Sequence, residues 1–140
     1  MEKNSFYIST DKSLLDIKVI HRYLNEDSYW AKGRSKETIK KSIQHSLCFG
    51  IYDNTHKQVG FARVVSDYAV FAWLLDVFVL KNHQGKGLGK QLIHAIVNHQ
   101  DLQGLKRWGL GTKDAHGLYE KFGFKPLSEP DKMMERLSQM

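Results

Sequence analysis

The chain is poor in residues that would tie it down covalently or interrupt it. Cys48 is the only cysteine, which excludes an internal disulfide and any site built from several thiolates. It lies in the apolar stretch Leu47-Cys48-Phe49, where a small buried hydrophobe is the expected role. Nothing near it in sequence would activate it as a nucleophile. The prolines are just Pro126 and Pro130, and no Pro-rich linker, repeat or low-complexity tract divides the 140 residues. The chain therefore reads as one domain over residues 1–140. No apolar run approaches bilayer length; the longest is Val70 to Leu75. The opening Met1-Glu2-Lys3-Asn4-Ser5 leads into no signal-type apolar region, so the expected location is cytoplasmic, with no membrane partner. The histidines lack metal spacing: His94 and His99 are five apart, and no His-Glu-x-x-His occurs. No metal is expected.

What is present is an ordinary globular composition, 41% hydrophobic and 26% charged, which argues against disorder. The formal charge is +6. A basic surface attracts anions, among them nucleic acid, anionic lipid and phosphorylated small molecules. The lysines and arginines are spread along the chain, with no clustered basic helix, so nucleic acid is the weaker reading.

Periodicity gives the element order. Phe6-Tyr7-Ile8 is a short strand. Ser13-Leu14-Leu15-Asp16 resembles a capping box that opens a helix with apolar face Ile17, Ile20 and Leu24. Ser35 caps a second helix, with Glu37 in its first turn and the stripe Ile39, Ile43, Leu47. Cys48–Tyr52 and Gln58–Val65 form a hairpin around the turn Asp53–His56, and Gly60 marks a bulge or a close approach. Val70–Leu80 is an almost continuous apolar run, expected as a strand buried on both faces, with Asp76 its single charge. A Gly-rich loop follows, then a helix with Leu88, Leu92, Ile93, Ile96 and Val97 on its buried face. Arg107–Thr112 is a strand and Ala115–Phe122 a helix stopped by Gly123. Phe124–Leu127 and Met133–Leu137 are expected as closing strands. The order β-α-α-β-β-β-α-β-α-β implies an α/β sheet of mixed direction.

The chemistry concentrates where the apolar strand runs into Gln84-Gly85-Lys86-Gly87-Leu88-Gly89-Lys90 and the glycines open a helix. Several backbone N–H groups then converge, and the helix dipole adds positive charge. Glycines let phosphates approach without a Cβ in the way. The expected ligand is a phosphate or pyrophosphate. Gly85, Gly87 and Gly89 are spaced G-x-G-x-G, which is not the dinucleotide fingerprint G-x-G-x-x-G. The phosphate-binding P-loop also fails, because three residues separate Gly85 from Gly89 and Gln91 follows Lys90.

Gln84-Gly85-Lys86-Gly87-Leu88-Gly89 resembles the Arg/Gln-x-x-Gly-x-Gly/Ala signature of the GNAT N-acetyltransferase superfamily. Ala115-His116-Gly117-Leu118-Tyr119-Glu120-Lys121-Phe122-Gly123-Phe124 is similar to that family's Ala-x-x-Leu-Tyr-x-x-x-Gly-Phe segment, in the same order and spacing. The close resemblance runs from about Asp76 to Pro126. It implies a GNAT-like fold: a central, mostly antiparallel, twisted sheet of about six to seven strands with a βαβ crossover, splayed at the cofactor site and flanked by about four helices. It implies acetyl-CoA as co-substrate. The backbone of Val77, Phe78 and Val79 would pair with the pantetheine arm. The amides of Gln84, Gly85, Lys86, Gly87, Leu88 and Gly89 would hold the pyrophosphate. Thr112 stands where many members carry Asn, and Gln84 where Arg is commoner.

Acetyl transfer needs a neutral amine, a stabilised carbonyl oxygen and a proton for the leaving thiolate. The resemblance puts Tyr119 at the sulfur as proton donor, with a backbone N–H near Val79 at the oxygen. Asp76, a carboxylate in an apolar strand, is the candidate base; the alternative is a structural Asp paired with Arg63 or a backbone amide. His116 is a second candidate, or a lining of the cofactor channel, and a water relay would need no single base. Tyr29, Trp30, Arg34, Tyr68 and Trp73 are candidates for the acceptor pocket. The alternatives are a non-catalytic acyl-CoA-binding module, a basic nucleic-acid-binding domain, and transfer of a longer acyl group. Both a monomer and a homodimer are compatible with the sequence.

Overall fold

In the computed structural model, residues 5–138 are described. Five strands form one sheet in chain order: β1 (Phe6–Ser9), β2 (Leu47–Asp53), β3 (Gln58–Ser66), β4 (Phe71–Val79) and β5 (Arg107–Leu110). Strands β1 to β4 are antiparallel neighbours, and β5 lies parallel to β4. The β4–β5 connection passes through α3 (Leu88–Val97), as a parallel pair requires. Two short helices, α1 (Ile17–Arg22) and α2 (Lys36–Gln44), join β1 to β2, and α4 (His116–Glu120) follows β5.

Each face of the sheet has its own core. Ile20, Leu24, Ile39 and Ile43 from the first two helices pack on Cys48, Phe61 and Phe78. Leu88, Leu92, Ile93 and Ile96 of α3 pack on the opposite face, over Phe49, Ile51, Ala62, Val64 and Leu74, with Tyr119 of α4 at the margin.

Local polar chemistry sets the element ends. Asp16, not Ser13, caps α1, its Oδ1 accepting from the N–H groups of Lys18 and Val19. Asp11 holds the preceding short turn through Ser13 N–H, so the expected Ser13–Asp16 capping box does not form. Ser35 caps α2 by accepting from Thr38 N–H. Leu47 belongs to β2 and not to the α2 stripe, because the chain turns at His45 and Ser46. In the β2–β3 turn Asp53 accepts from the N–H groups of Thr55 and Lys57. In the β3–β4 turn Asp67 accepts from those of Ala69, Val70 and Phe71. Gly60 is a close approach: a Cβ there would stand 3.0 Å from the Phe78 carbonyl oxygen and 2.9 Å from Ile51 Cδ1.

Among the described residues the sheet has five strands and not six or seven. Phe124–Leu127 and Met133–Leu137 are irregular, separated by a single 3₁₀ turn at Pro130–Lys132. Gly123 turns left-handed at φ 90°, and the two prolines that follow cannot donate to a ladder. Met134 is 95% exposed and Leu137 73%, so no sheet neighbour buries the alternate side chains of that segment.

Candidate active site

The site begins with an irregularity in β4. Asp76 sits at φ 53°, left-handed, in the middle of a strand. The β3–β4 register runs Phe61↔Phe78 and then Arg63↔Leu75, so Ala62 faces two residues, Asp76 and Val77. This is a β-bulge, which bends a strand and sharpens its twist. Asp is among the few side chains that tolerate this backbone. Burial still alternates along β4, but the buried positions change face at the bulge. Ala72 and Leu74 pack on the α3 side, whereas Phe78 packs on the α1–α2 side. The run expected to be buried on both faces is instead an alternating strand whose phase slips once.

The bulge also opens the sheet. β5 pairs with β4 only from Phe71 to Leu74. At the last rungs the Trp73 ring covers Gly109, where a Cβ would overlap it. Beyond Leu74 that edge of β4 carries no strand among the described residues. Leu80 N–H donates to Val59 C=O at 2.8 Å. In an antiparallel ladder bonded and non-bonded pairs alternate, so Phe78 is directed at β3. Val77 and Val79 direct their N–H and C=O groups at the open edge. The Val79 carbonyl accepts from Gln84 Nε2 at 2.9 Å. Phe78 turns its backbone away from that edge and stacks its ring on Tyr23, centroids 4.2 Å apart.

Gln84–Gly89 runs from a 3₁₀ turn (Lys81–His83) into α3. Gly85 and Gly87 have φ of 83° and 80°, and a Cβ on either would meet nothing within 4 Å. Their requirement for glycine is therefore one of backbone conformation, and the space above them is open. Gly87 is the N-cap of α3 and supplies no capping side chain, so the first N–H groups of the helix have no side-chain cap. The Leu88 side chain is buried in the core, which leaves its amide for a ligand. Gly89 brings α3 close to Leu118 of α4. Lys86 is exposed, its Nζ 3.3 Å from His83 Nδ1 and above the Phe6 ring.

A cavity of about 540 Å³ fills the gap between the diverging strands, lined by Asp76 and Val77 on one side, Thr112 and Tyr119 on the other, and Trp30 and Arg34 above. Tyr119 is 7% exposed, and its hydroxyl has no hydrogen-bond partner among the described residues. Burial, with smaller contributions from Tyr29 and Asp114, pushes that hydroxyl up to about 12. It therefore carries a proton at any ordinary pH. The Thr112 hydroxyl accepts from Ala115 N–H at 3.1 Å and so helps start α4. His116 is exposed and lines a smaller cavity of about 290 Å³ beyond β5, together with Glu120 and Trp108 and with Tyr119 shared between the two. It does not line the cleft that contains Asp76.

The Asp76 carboxylate is engaged on both oxygens. Trp30 Nε1 donates to Oδ1 at 2.9 Å, while Arg34 Nη1 at 2.8 Å and Arg63 Nε at 2.6 Å donate to Oδ2. The Asp76 side chain is 2% exposed, so three segments distant in sequence meet at one desolvated anion. The pairing with Arg63 was legible in the sequence; the convergence of Trp30 and Arg34 on the same group was not. Also unforeseen is the bond across the cleft mouth, where Lys113 N–H donates to the Tyr29 hydroxyl at 2.7 Å and Lys113 Nζ lies over the Tyr29 ring. The partners are 84 residues apart and no local pattern links them. Tyr68, the remaining pocket candidate, sits exposed in the β3–β4 turn and does not line the cleft.

Comparison with known proteins agrees with this geometry. A crystal structure of a protein from Xanthomonas campestris pv. campestris, assigned to the GNAT family of acetyltransferases, superposes with a TM-score of 0.92 at 51% identity, covering 96% of this chain and 94% of that one. The uncharacterized N-acetyltransferase ycf52 of Pyropia yezoensis is 35% identical over 94% of this chain and 75% of its own length. The chloroplastic GCN5-related N-acetyltransferase 1 of Arabidopsis thaliana is 30% identical over 70% of this chain and 50% of its own. Residues 44–126, from the end of α2 to the segment after α4, match the acetyltransferase (GNAT) domain. With the splayed sheet, the glycine-opened helix and the cleft tyrosine in place, the chain belongs to the GNAT acetyltransferase family.

Proposed function

We propose that this chain transfers an acetyl group from acetyl-CoA to a primary amine, by direct attack within the β4–β5 cleft. The observation that carries the reading is one continuous line of features. Backbone groups of Val77 and Val79 lie at an edge that carries no strand, the Val79 carbonyl being held by Gln84; that edge leads to the uncapped start of α3; and a protonated Tyr119 faces the same gap. The residues fit the co-substrate. An extended amide-bearing arm can add to the β4 edge as a strand does. The open space above Gly85 and Gly87 suits a pyrophosphate at the helix start.

Chemistry follows from where protons are held. The amine nitrogen attacks the thioester carbonyl carbon, the carbon–sulfur bond breaks, and the departing sulfur accepts a hydrogen bond from the Tyr119 hydroxyl. The amine's proton leaves to water, and the released thiolate takes its proton from water. A thiol titrates near 8.5, well below Tyr119, so the tyrosine keeps its proton and acts by hydrogen bonding to the developing thiolate. Positioned donors of this kind contribute roughly 10²–10⁴-fold. An N–H of Val77 or Val79 faces the edge where the carbonyl oxygen gains charge. Three donors already engage the Asp76 carboxylate. Its geometry favours holding the bulge, with water removing the amine's proton.

Titration calorimetry with acetyl-CoA, followed by thiol-release assays on an amine panel, tests this. Saturable binding and acetyl-CoA-dependent amine consumption are expected, with turnover and not binding lost in Tyr119→Phe. A folded protein that binds no acetyl-CoA would overturn the proposal.

A further inference from the structure

We infer that the acceptor amine carries a carboxylate near its reactive nitrogen, and that Arg34 holds it; this rests on the acetyl-transfer reading above. The argument is a charge inventory of the cleft. Asp76 brings one negative charge, and Arg34 and Arg63 each bring a positive one to the same oxygen. Lys113 and Asp114, at the mouth, offset each other. One positive charge is left over beside Tyr119.

That surplus belongs to Arg34. Arg63 is 13% exposed and is also tied to Ser46 Oγ through Nη1. Arg34 is 24% exposed, lines the cavity, and uses only Nη1 on Asp76. Its Nε and Nη2 have no partner among the described residues. A guanidinium with two donors to spare matches a planar carboxylate, which it can bind through paired hydrogen bonds. The neighbouring walls, Trp30, Trp73 and Tyr29, are largely apolar and supply no second anion. A polyamine would bring further positive charge against Arg34 with only Asp114 at the rim to answer it. An amino acid with an apolar or aromatic side chain brings both the missing anion and a body that fits the walls.

The test uses matched pairs. Thiol release from acetyl-CoA is followed with L-phenylalanine, L-leucine and L-tryptophan, each beside its carboxamide, and with spermidine as the cationic comparison. The pH is set high enough that every α-amine is neutral. The acids are expected to exceed their amides in kcat/KM by at least ~10-fold, as a charge-assisted pair gives. Arg34→Gln should bring the acid-to-amide ratio of kcat/KM close to one, whatever the absolute rates become. Arg34→Lys should restore part of the preference, which a merely structural role for Arg34 would not predict. Acetyl-CoA binding is measured by calorimetry on every sample. Amides equal to acids, spermidine as the best acceptor, or an unchanged ratio in Arg34→Gln would each overturn the inference. So would the absence of turnover of all three acids by protein that binds acetyl-CoA normally. Loss of acetyl-CoA binding by the wild type would instead bring down the transfer reading beneath it, and the inference with it.

Discussion

The two sides of the cleft are built by different means. On the α3–α4 side the site is made of backbone: Gly85 and Gly87 in left-handed conformations, an uncapped helix start, and the free edge of Val77 and Val79. On the α1–α2 side it is made of side chains brought from far apart: Trp30, Arg34 and Arg63 around Asp76, and Tyr29 across to Lys113. A backbone site is a local property of a short stretch and tolerates side-chain change, provided the conformation survives. A side-chain site depends on the tertiary fold and is sensitive to the identity of each contributor. The first suits a ligand part shared across a family, the second a part that differs between members.

The largest effect expected from this contrast is on the backbone side. Gly87→Glu puts a side chain at φ 80° and a negative charge at the helix start. The strain alone is about 1–2 kcal/mol. The charge opposes pyrophosphate and offsets the positive potential of the helix start. Acetyl-CoA affinity measured by calorimetry should fall ~100-fold or more, this strain and charge acting together, with the melting temperature lowered by roughly 2–8 °C per kcal/mol of strain. Comparable affinity in the variant would mean that the loop does not hold the pyrophosphate. Truncating Gln84, whose side chain braces the strand end, gives the opposite control. Gln84→Ala should raise the acetyl-CoA Kd only a fewfold, through loss of its bond to the Val79 carbonyl, a single neutral hydrogen bond worth about 1 kcal/mol.

Tyr119→Phe comes next. It should lower kcat by ~10²-fold, the lower range for a positioned proton donor, while leaving the acetyl-CoA Kd unchanged. Because Tyr119 is pushed up to about 12, the wild-type rate should show no alkaline fall from this residue up to about pH 10. A pH-rate profile with an alkaline limb below pH 9 that vanishes in the phenylalanine variant would contradict the assignment.

The same contrast explains what could be read in advance. The glycine loop, the segment around Tyr119 and the βαβ crossover are encoded in contiguous residues, so periodicity and spacing reveal them. The closing strands were not so encoded: Phe124–Leu127 alternates well enough, but Pro126, Pro130 and the left-handed Gly123 leave it irregular. The α1 cap was misplaced by one competing local device, because Asp11 claims Ser13 N–H before a capping box can form. At Asp76 the residue was visible but its surroundings were not. An unmatched carboxylate in an apolar strand reads as a reactive group until the fold supplies Trp30 from 46 positions and Arg34 from 42 positions upstream. The bulge itself leaves no mark beyond the choice of Asp, one of the few residues at ease with φ 53°.

The last effect distinguishes the two sides by stability. Cys48 pairs across the ladder with Arg63, the buried partner of Asp76, and packs in the α1–α2 core. Burial pushes its thiol up to about 11, so at pH 9 only about 1% is thiolate in the native state, against about half when unfolded. The sign is that of a raised acid: its share of stability is complete below pH 9 and lost as the pH rises towards 11. Labelling by a thiol reagent at pH 9 therefore reports opening of that core. Asp76→Asn leaves two guanidinium groups without their anion, and breaking a buried pair in this way costs about 3–5 kcal/mol. The discount for the partly exposed Arg34 puts the expected loss at about 3 kcal/mol or less. Labelling should accelerate more in Asp76→Asn than in Gly87→Glu. Equal rates in the two variants would show that the carboxylate is not what ties the α1–α2 side to the sheet, and Asp76 would return as the candidate base.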